Sequence, residues 1–309
     1  MIKFSISQQG VALITALLVV ALATIAAVAM TTRQQIDIYR TANIINSEQA
    51  YLYALGGESW VKRILLRDNN ATDSLQDEWA IPLPPLDIPG GAIQGHVEDL
   101  QGRFNLNNLV KEGKASPEDI IFFERLLRIL ELPPELAQGV VDWIDSDMEP
   151  RQPDGAEDNA YLGQTPAYRT SNTLFSSPTE LRLLAGFNKK DSYQEYQKLL
   201  PYVSTLPIRT PININTAPLP ILMALVEGLN EMDVSALIAE REKKIFESPN
   251  DFIIHDALAG LALDTNLNIS VSSAYFLFKA EVNIDKGRAL LNSTLHRLPD
   301  QVTVVARSR

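Results

Sequence analysis

The 309-residue chain contains no cysteine. Disulfides and Cys-ligated zinc are excluded, so an exported domain of this sequence must rely on packing or on another cross-link, such as a metal held by oxygens. Histidine is nearly as scarce: His96, His255 and His296 lie far apart, and none belongs to an HExxH pattern. No serine sits in GxSxG, and neither a Walker A nor a GxGxxG sequence occurs. Without these constellations the chain reads as a non-enzyme. Positive charge is short as well, with 27 Lys and Arg against 38 Asp and Glu and a net charge of −11. That balance argues against nucleic acid and anionic lipid surfaces as partners of the bulk of the chain.

What the chain does have begins at its amino terminus. Residues 11–30 (VALITALLVVALATIAAVAM) carry no charge. At ~1.5 Å per helical residue they just span the ~30 Å hydrocarbon core of a bilayer. A short polar leader with one lysine, Lys3, precedes them and ends at Gly10. A secretory signal places its cleavage site after a shorter apolar region. Here the one plausible processing point, Gly10–Val11, lies before it, and cutting there leaves the membrane helix as the start of the mature chain. This arrangement resembles a type IV prepilin leader; an ordinary uncleaved signal anchor is the alternative. Lys3 on one side and Arg33 and Arg40 on the other give the positive-inside rule little to discriminate.

Apolar residues continue to recur beyond the membrane, at Ile44, Ile45, Leu52, Leu55, Val61, Ile64 and Leu65, and no proline interrupts residues 31–67. The spacing predicts one helix of roughly 50 residues from Val11, half in lipid and half packed on a domain, with weak points at Asn43, Asn46 and Gly56-Gly57. Residues 77–91 contain four prolines and two glycines and read as a loop. Residues 92–100 alternate weakly, as a strand does. Alternation is clearer near the end: Phe276, Phe278, Ala280, Val282 and Ile284 share one face, and Lys279, Glu281 and Asn283 the other. Asp285-Lys286-Gly287 supplies a turn, residues 288–298 a return strand, and residues 301–306 a last one.

Between these strands the pattern turns helical, over residues 117–132 (with Ser116 as cap and Pro117 in the first turn), 134–144, 178–185, 193–202, 217–229 and 232–243. An internal echo runs through this insertion. Phe104-Asn105-Leu106-Asn107-Asn108 precedes one set of helices, and Ile212-Asn213-Ile214-Asn215-Thr216-Ala217 precedes another. The second set resembles a helix-hairpin-helix (SAM-like) unit. Its hairpin reads Glu227-Gly228-Leu229-Asn230-Glu231, whose acids repel phosphate and favour a structural use. The fold class expected is α+β: a pilin-like long amino-terminal helix on a small antiparallel sheet, with a large all-α insertion between strands. The expected segments are a leader (1–10), a membrane part (11–30), a helix half with loop and first strand (31–102), the insertion (103–265) and the closing strands (266–309).

Seven carboxylates crowd residues 142–158: Asp142, Asp145, Asp147, Glu149, Asp154, Glu157 and Asp158, opposed only by Arg151. Acids at a helix carboxyl end are unfavourable unless offset. Ca²⁺, which takes six to eight oxygens, suits the task. Asp145, Asp147, Asp154, Glu157 and Asp158 can converge on one or two ions, although the spacing is not that of an EF-hand, and a solvated acidic loop is the alternative. The length of the loop over residues 145–177 favours an organiser.

Together these pieces resemble the K-type minor pseudopilin of the type II secretion system, most specifically in the stretch DWIDSD…GAEDNAY…N…SPTEL. The resemblance implies cleavage at Gly10–Val11, methylation of the new terminus, an inner-membrane anchor, a periplasmic ectodomain and calcium in the insertion. It implies ligand roles for Asp145, Asp147, Asp154, Glu157 and Asp158, with Asn172 as a further candidate. Its partners would be I- and J-type minor pseudopilins and the major pseudopilin filament, with exoprotein or the secretin channel beyond, and no nucleic acid. Pilins carry Glu at the fifth mature position, where this chain has Thr15. A subunit with no neighbour ahead of it has no amine to neutralise, so Thr15 marks the filament tip. Membrane-anchored DNA receptors and anchored calcium-dependent hydrolases are the competing classes.

Overall fold

The structure, a computed structural model, describes residues 9–68, 71–187, 193–261 and 267–309. Helix α1 (Gln9–Arg67) runs unbroken for 59 residues, about 90 Å at the usual rise. Strands β1 (Leu83–Ile88) and β2 (Gly91–Asp99) follow, then the short β3 (Phe104–Asn105), β4 (Val110–Lys111) and β5 (Lys114–Ala115). Helices α2 (Pro117–Ile129), α3 (Leu136–Ile144), α4 (Asp158–Leu162) and α5 (Tyr193–Leu199) come next, then β6 (Val203–Ser204) and β7 (Ile212–Asn213). Helices α6 (Leu219–Leu225), α7 (Glu231–Arg241) and α8 (Pro249–Ile253) lead to β8 (Ile269–Ser270) and to the long strands β9 (Tyr275–Ile284), β10 (Gly287–Leu298) and β11 (Gln301–Ser308). The main sheet is antiparallel in the order β1-β2-β9-β10-β11, so the insertion leaves after β2 and returns before β9.

The expected long helix on a small antiparallel sheet is present, with three differences. First, the helix continues without a break through Asn43, Asn46 and Gly56-Gly57. Second, its core face is the expected one only in the later half, at Val61, Ile64 and Leu65. Ala50, Ala54, Val61, Ile64 and Leu65 are buried, whereas Ile44, Ile45 and Leu52 are more than half exposed. Small side chains let the helix approach the sheet. Gly287 has the same cause, because a Cβ there would lie 2.7 Å from the backbone of Asn46 and Ser47. Third, the proline-rich segment holds a strand. Pro84 and Pro85 lack N–H donors, which an edge strand tolerates, and the β1–β2 register shifts across them, between Leu83 and Leu86. Ahead of β1, Trp79 is buried edge-on against Phe276 with ring centroids 5.0 Å apart.

Within that interface Glu58 is buried among apolar neighbours and accepts from Arg307 at 2.7 and 2.8 Å and from Ser293 at 2.7 Å. Burial alone would raise its pKa, but these hydrogen bonds and the guanidinium charge outweigh it and hold the carboxyl below its ordinary value.

The insertion has its own core, built around Phe104, Phe123, Leu126, Val140, Tyr161, Ile221, Leu237 and Phe252. It is not all-α as expected: β3 pairs with β6 and β7 with β8, both parallel, and β4 with β5. Several helices are shorter than their patterns suggested. Residues 178–183 form a 3-10 turn, as do Leu200–Tyr202. Ser116 occupies the cap position of α2 without a side-chain cap bond, because its hydroxyl donates to Asp119 Oδ2 at 2.5 Å.

The echo in sequence is an echo in structure. Asn105 and Asn213 each accept from the amide two residues on, at 3.1 and 3.0 Å. Asn107 and Asn215 each grip the backbone of one phenylalanine. Their Nδ2 donates to the carbonyl of Phe175 (3.0 Å) or Phe246 (2.9 Å), and their Oδ1 accepts from the same residue's N–H at 2.8 and 2.9 Å. Two residues further, Ser177-Pro178 and Ser248-Pro249 open capping boxes closed by Glu180 and Asp251. The insertion is therefore two units on one frame.

Candidate metal centre

The acids gather where α3 ends. That helix is apolar on the face packed into the core, and its extended cap residue, Asp145, starts the acidic segment. Asp142, one turn earlier, is fully buried: its Oδ2 accepts from Arg151 N–H at 3.1 Å, while Oδ1 has no hydrogen-bond partner. The chain folds back on itself through Gly155, whose amide donates to Arg151 O at 2.7 Å. A Cβ at Gly155 would overlap both Asp142 Oδ2 and the Arg151 backbone, so only glycine fits that bend.

The fold-back brings Asp145, Asp147 and Glu157 together, with one carboxylate oxygen of each within 4.8 Å of the others. Asp145 and Glu157 are buried, and each has an oxygen without a hydrogen-bond partner. Asn172 Oδ1 is also buried and unpartnered. The backbone of Asn172 lies in the left-handed region and its N–H donates to Trp143 O at 3.1 Å, at the end of α3. Arg151 Nε stands 3.7 Å from Asp142 and 3.9 Å from Asp145 without a hydrogen bond. Burial, then the charges of Asp147 and Asp142, push the Asp145 pKa up to about 6. Burial, then the charges of Asp142, Asp145 and Asp147, push Glu157 up to about 7. Burial likewise raises Asp142.

Two of the expected ligands stand apart from this group. Asp158 opens α4, and its Oδ1 accepts from the Thr170 hydroxyl at 2.9 Å and amide at 3.1 Å, while Oδ2 faces Arg169 at 3.3 Å. Asp154 is exposed in the bend, where its N–H donates to Gln138 Oε1 at 2.9 Å. Asp142, in contrast, was not among the expected ligands. Its place one helical turn before Asp145 was the signal for it, since residues three apart share a helix face.

The acidic segment also has an organiser besides any ion. Helix α4 breaks it, and Tyr161 and Tyr168 pack with Trp143 at centroid distances of 5.3 to 6.4 Å. Tyr168 donates to Leu183 O at 2.5 Å. Loop length alone therefore does not require a metal. The donor chemistry does the arguing: an all-oxygen cluster, buried at Asp145 and Glu157 and open to solvent at Asp147, with unpartnered oxygens and one misaligned guanidinium, fits a hard cation such as Ca²⁺.

At the other end of the molecule, every residue from Gly10 to Ile45 is exposed. This stretch of α1 is long and apolar enough to cross a membrane. Thr15 turns its hydroxyl back to Ala12 O at 3.0 Å. Residues 1–8 of the expected leader lie outside the described residues.

Comparison with known proteins bears on both ends. Residues 102–208 and 212–272 match two family models, each described as "Type II secretion system (T2SS), protein K". Their limits coincide with the two units of the insertion. The chain is 40% identical to type II secretion system protein K of Pseudomonas aeruginosa, over 97% of this chain and 92% of that protein. It is 30% identical to the Aeromonas hydrophila protein of the same description, over 97% and 96%. Its fold matches a chain in the crystal structure of the GspK-GspI-GspJ complex from enterotoxigenic Escherichia coli with a TM-score of 0.77 and 27% identity, covering 87% of this chain and 98% of that one.

Proposed function

The chain belongs to the type II secretion system protein K family, the K-type minor pseudopilins, and from that membership we propose that it starts and caps the pseudopilus at its tip. Cleavage at Gly10–Val11 and methylation of the new terminus make α1 the anchor in the inner membrane, with the sheet and insertion in the periplasm. The I- and J-type minor pseudopilins pack beside α1, the partnership named for the related complex. Major pseudopilins follow below, and the insertion faces exoprotein or the secretin. The observation that carries the tip position is Thr15. Its hydroxyl is satisfied inside its own helix, and no carboxylate stands there for the amine of a subunit ahead. An unpaired charge at that depth would be costly in lipid.

In the same reading the acidic centre holds calcium. Asp145, Asp147 and Glu157 supply carboxylates, with Asp142 and Asn172 as oxygen donors beside them. Asp154 and Asp158 would join only by a local rearrangement. When bound, the ion supplies the positive charge these oxygens lack and fastens the end of α3 to the start of α4. Its part is structural.

Deleting residues 103–264 tests the capping role. Membrane insertion is expected to survive, with pseudopilus length or secretion disturbed. Normal length and normal secretion would overturn it. The intact mass of membrane-extracted protein reads the processing step directly, with a methylated chain starting at Val11 as the expected species.

A further inference from the structure

A second group of acids lies far from the first in sequence, where α1 ends and the chain turns towards β1. Ligand-capable oxygens of Asp68, Asp73 and Asp77 lie within 4.8 Å of one another. Oxygens sharing one ion at 2.3–2.6 Å cannot be much further apart than ~5 Å, and this spacing meets that limit. Asp73 is 0% exposed. Its backbone is fixed on both sides, the N–H donating to Val271 O at 2.8 Å and the carbonyl accepting from Asn213 Nδ2 at 3.1 Å. Its Oδ2 is taken by the Ser273 amide at 2.7 Å and by the Arg297 guanidinium. Its Oδ1 is buried and has no hydrogen-bond partner among the described residues.

Arg297 reaches Asp73 and, at 3.3 Å, Asp68. Asp77 accepts from the Ser74 amide and hydroxyl, at 2.7 and 3.1 Å. Asp99 is buried close by, with four donors: the Gln101 amide, Asn213 Nδ2, and the Thr216 and Ser273 hydroxyls. Arg297 is thus shared between Asp73 and Asp68. Desolvation and the Asp99 charge both penalise the ionised form of Asp73.

From this geometry we infer that Asp68, Asp73 and Asp77 form a binding site for a hard divalent cation of the calcium type, distinct from the Asp145 centre. The group offers only oxygen, so thiophilic metals are poorly served. Asp68 and Asp77 are part-exposed, which leaves room for waters to complete a shell of six to eight. The site sits at the joint of the molecule. Asp73 touches the segment between β8 and β9 through Ser273, the main sheet through Arg297 and the second unit through Asn213. A cation there fastens the end of the long helix to the base of the insertion.

The test counts ions on the full-length protein in detergent, stripped with chelator and dialysed against about 1 mM calcium, within the range of extracellular calcium modules. Asp77→Asn keeps an acceptor for Ser74 and is expected to fold, as circular dichroism will show, and to bind one ion fewer per chain than the unsubstituted protein. Asp145→Asn combined with Glu157→Gln is expected to retain an ion, which adding Asp77→Asn removes. Asp68→Asn serves in the same way if Asp77→Asn does not fold. An Asp77→Asn protein that binds as much calcium as the unsubstituted one, or an Asp145→Asn, Glu157→Gln protein that binds none, overturns the inference and leaves Asp73 as the partner of Arg297 alone. Because the two pairs of substitutions are separate, failure of the Asp145 centre and failure of this one are told apart.

Discussion

The two units of the insertion share a frame and differ in how they close it. In the second, α7 ends at Arg241, and the capping box at Ser248 follows within a few residues. Arg241 is buried and donates to the carbonyls of Ile214 and Ala217, both at 2.7 Å. The cation that ties this unit is part of its own chain. In the first unit, α3 ends in acids, and residues 145–176 intervene before the capping box at Ser177. Carboxylates converge there with oxygens left unpartnered. The frame is the same, but the positive charge has to come from solution. The second unit should therefore be stable whatever the ionic conditions, whereas the first is conditional on them.

The largest expected effect breaks the shared frame. Asn107→Ala removes two donor contacts, to Phe175 and Leu206, and one acceptor contact, all buried. Stranding those backbone groups should cost about 3 kcal/mol or more, and urea unfolding will measure it. Asn215→Ala should cost slightly less, having two such contacts. The pair also sharpens the comparison, because Asn107→Ala should weaken calcium binding and Asn215→Ala should not. Next in size is calcium itself. At a free concentration 100-fold above its Kd, the ion should stabilise the protein by about 2.7 kcal/mol. Asp145→Ala with Glu157→Ala should remove the part of that gain that the Asp145 centre supplies, and in chelator the pair should not destabilise. Equal loss with and without calcium would count against the ion.

Arg241→Met comes third. It leaves two buried carbonyls without their donor and should cost about 2 kcal/mol, equally in calcium and in chelator. The smallest effect is that of pH. Asp145 and Glu157 have folded pKa values raised to about 6 and about 7, above their unfolded values, so the folded state without metal binds protons more readily. In chelator, stability should rise as pH falls from 8 towards 5. The calcium-dependent gain should shrink over the same window, because protons compete for the same oxygens. A thermal melt series with and without calcium should show the two trends running in opposite directions.

Much of this was legible in the sequence, and the rest had physical reasons for being hidden. Period-2 alternation marked β9 because one face of it is buried, from Phe276 through Ile284. The core face of α1 was legible at Val61, Ile64 and Leu65 but obscured before them, where it is built from Ala50 and Ala54, whose small size admits the sheet, while the larger Ile44, Ile45 and Leu52 stay outside. Strand β1 was hidden by prolines that an edge tolerates. The acidic group could be found from composition, but its membership is set by the bend at Gly155 and by the competing duties of Asp158 with Thr170. Asp73 was invisible altogether, since its partners Ser273 and Arg297 lie more than 190 residues away.

The most direct measurement is hydrogen exchange on the full-length protein in detergent, resolved by peptide, with calcium and with chelator. The account expects residues 141–176 to lose protection in chelator while residues 231–258 keep theirs. Equal protection of the first unit in both conditions, or equal loss in both units, would contradict the claim that only the first depends on an ion for its closure.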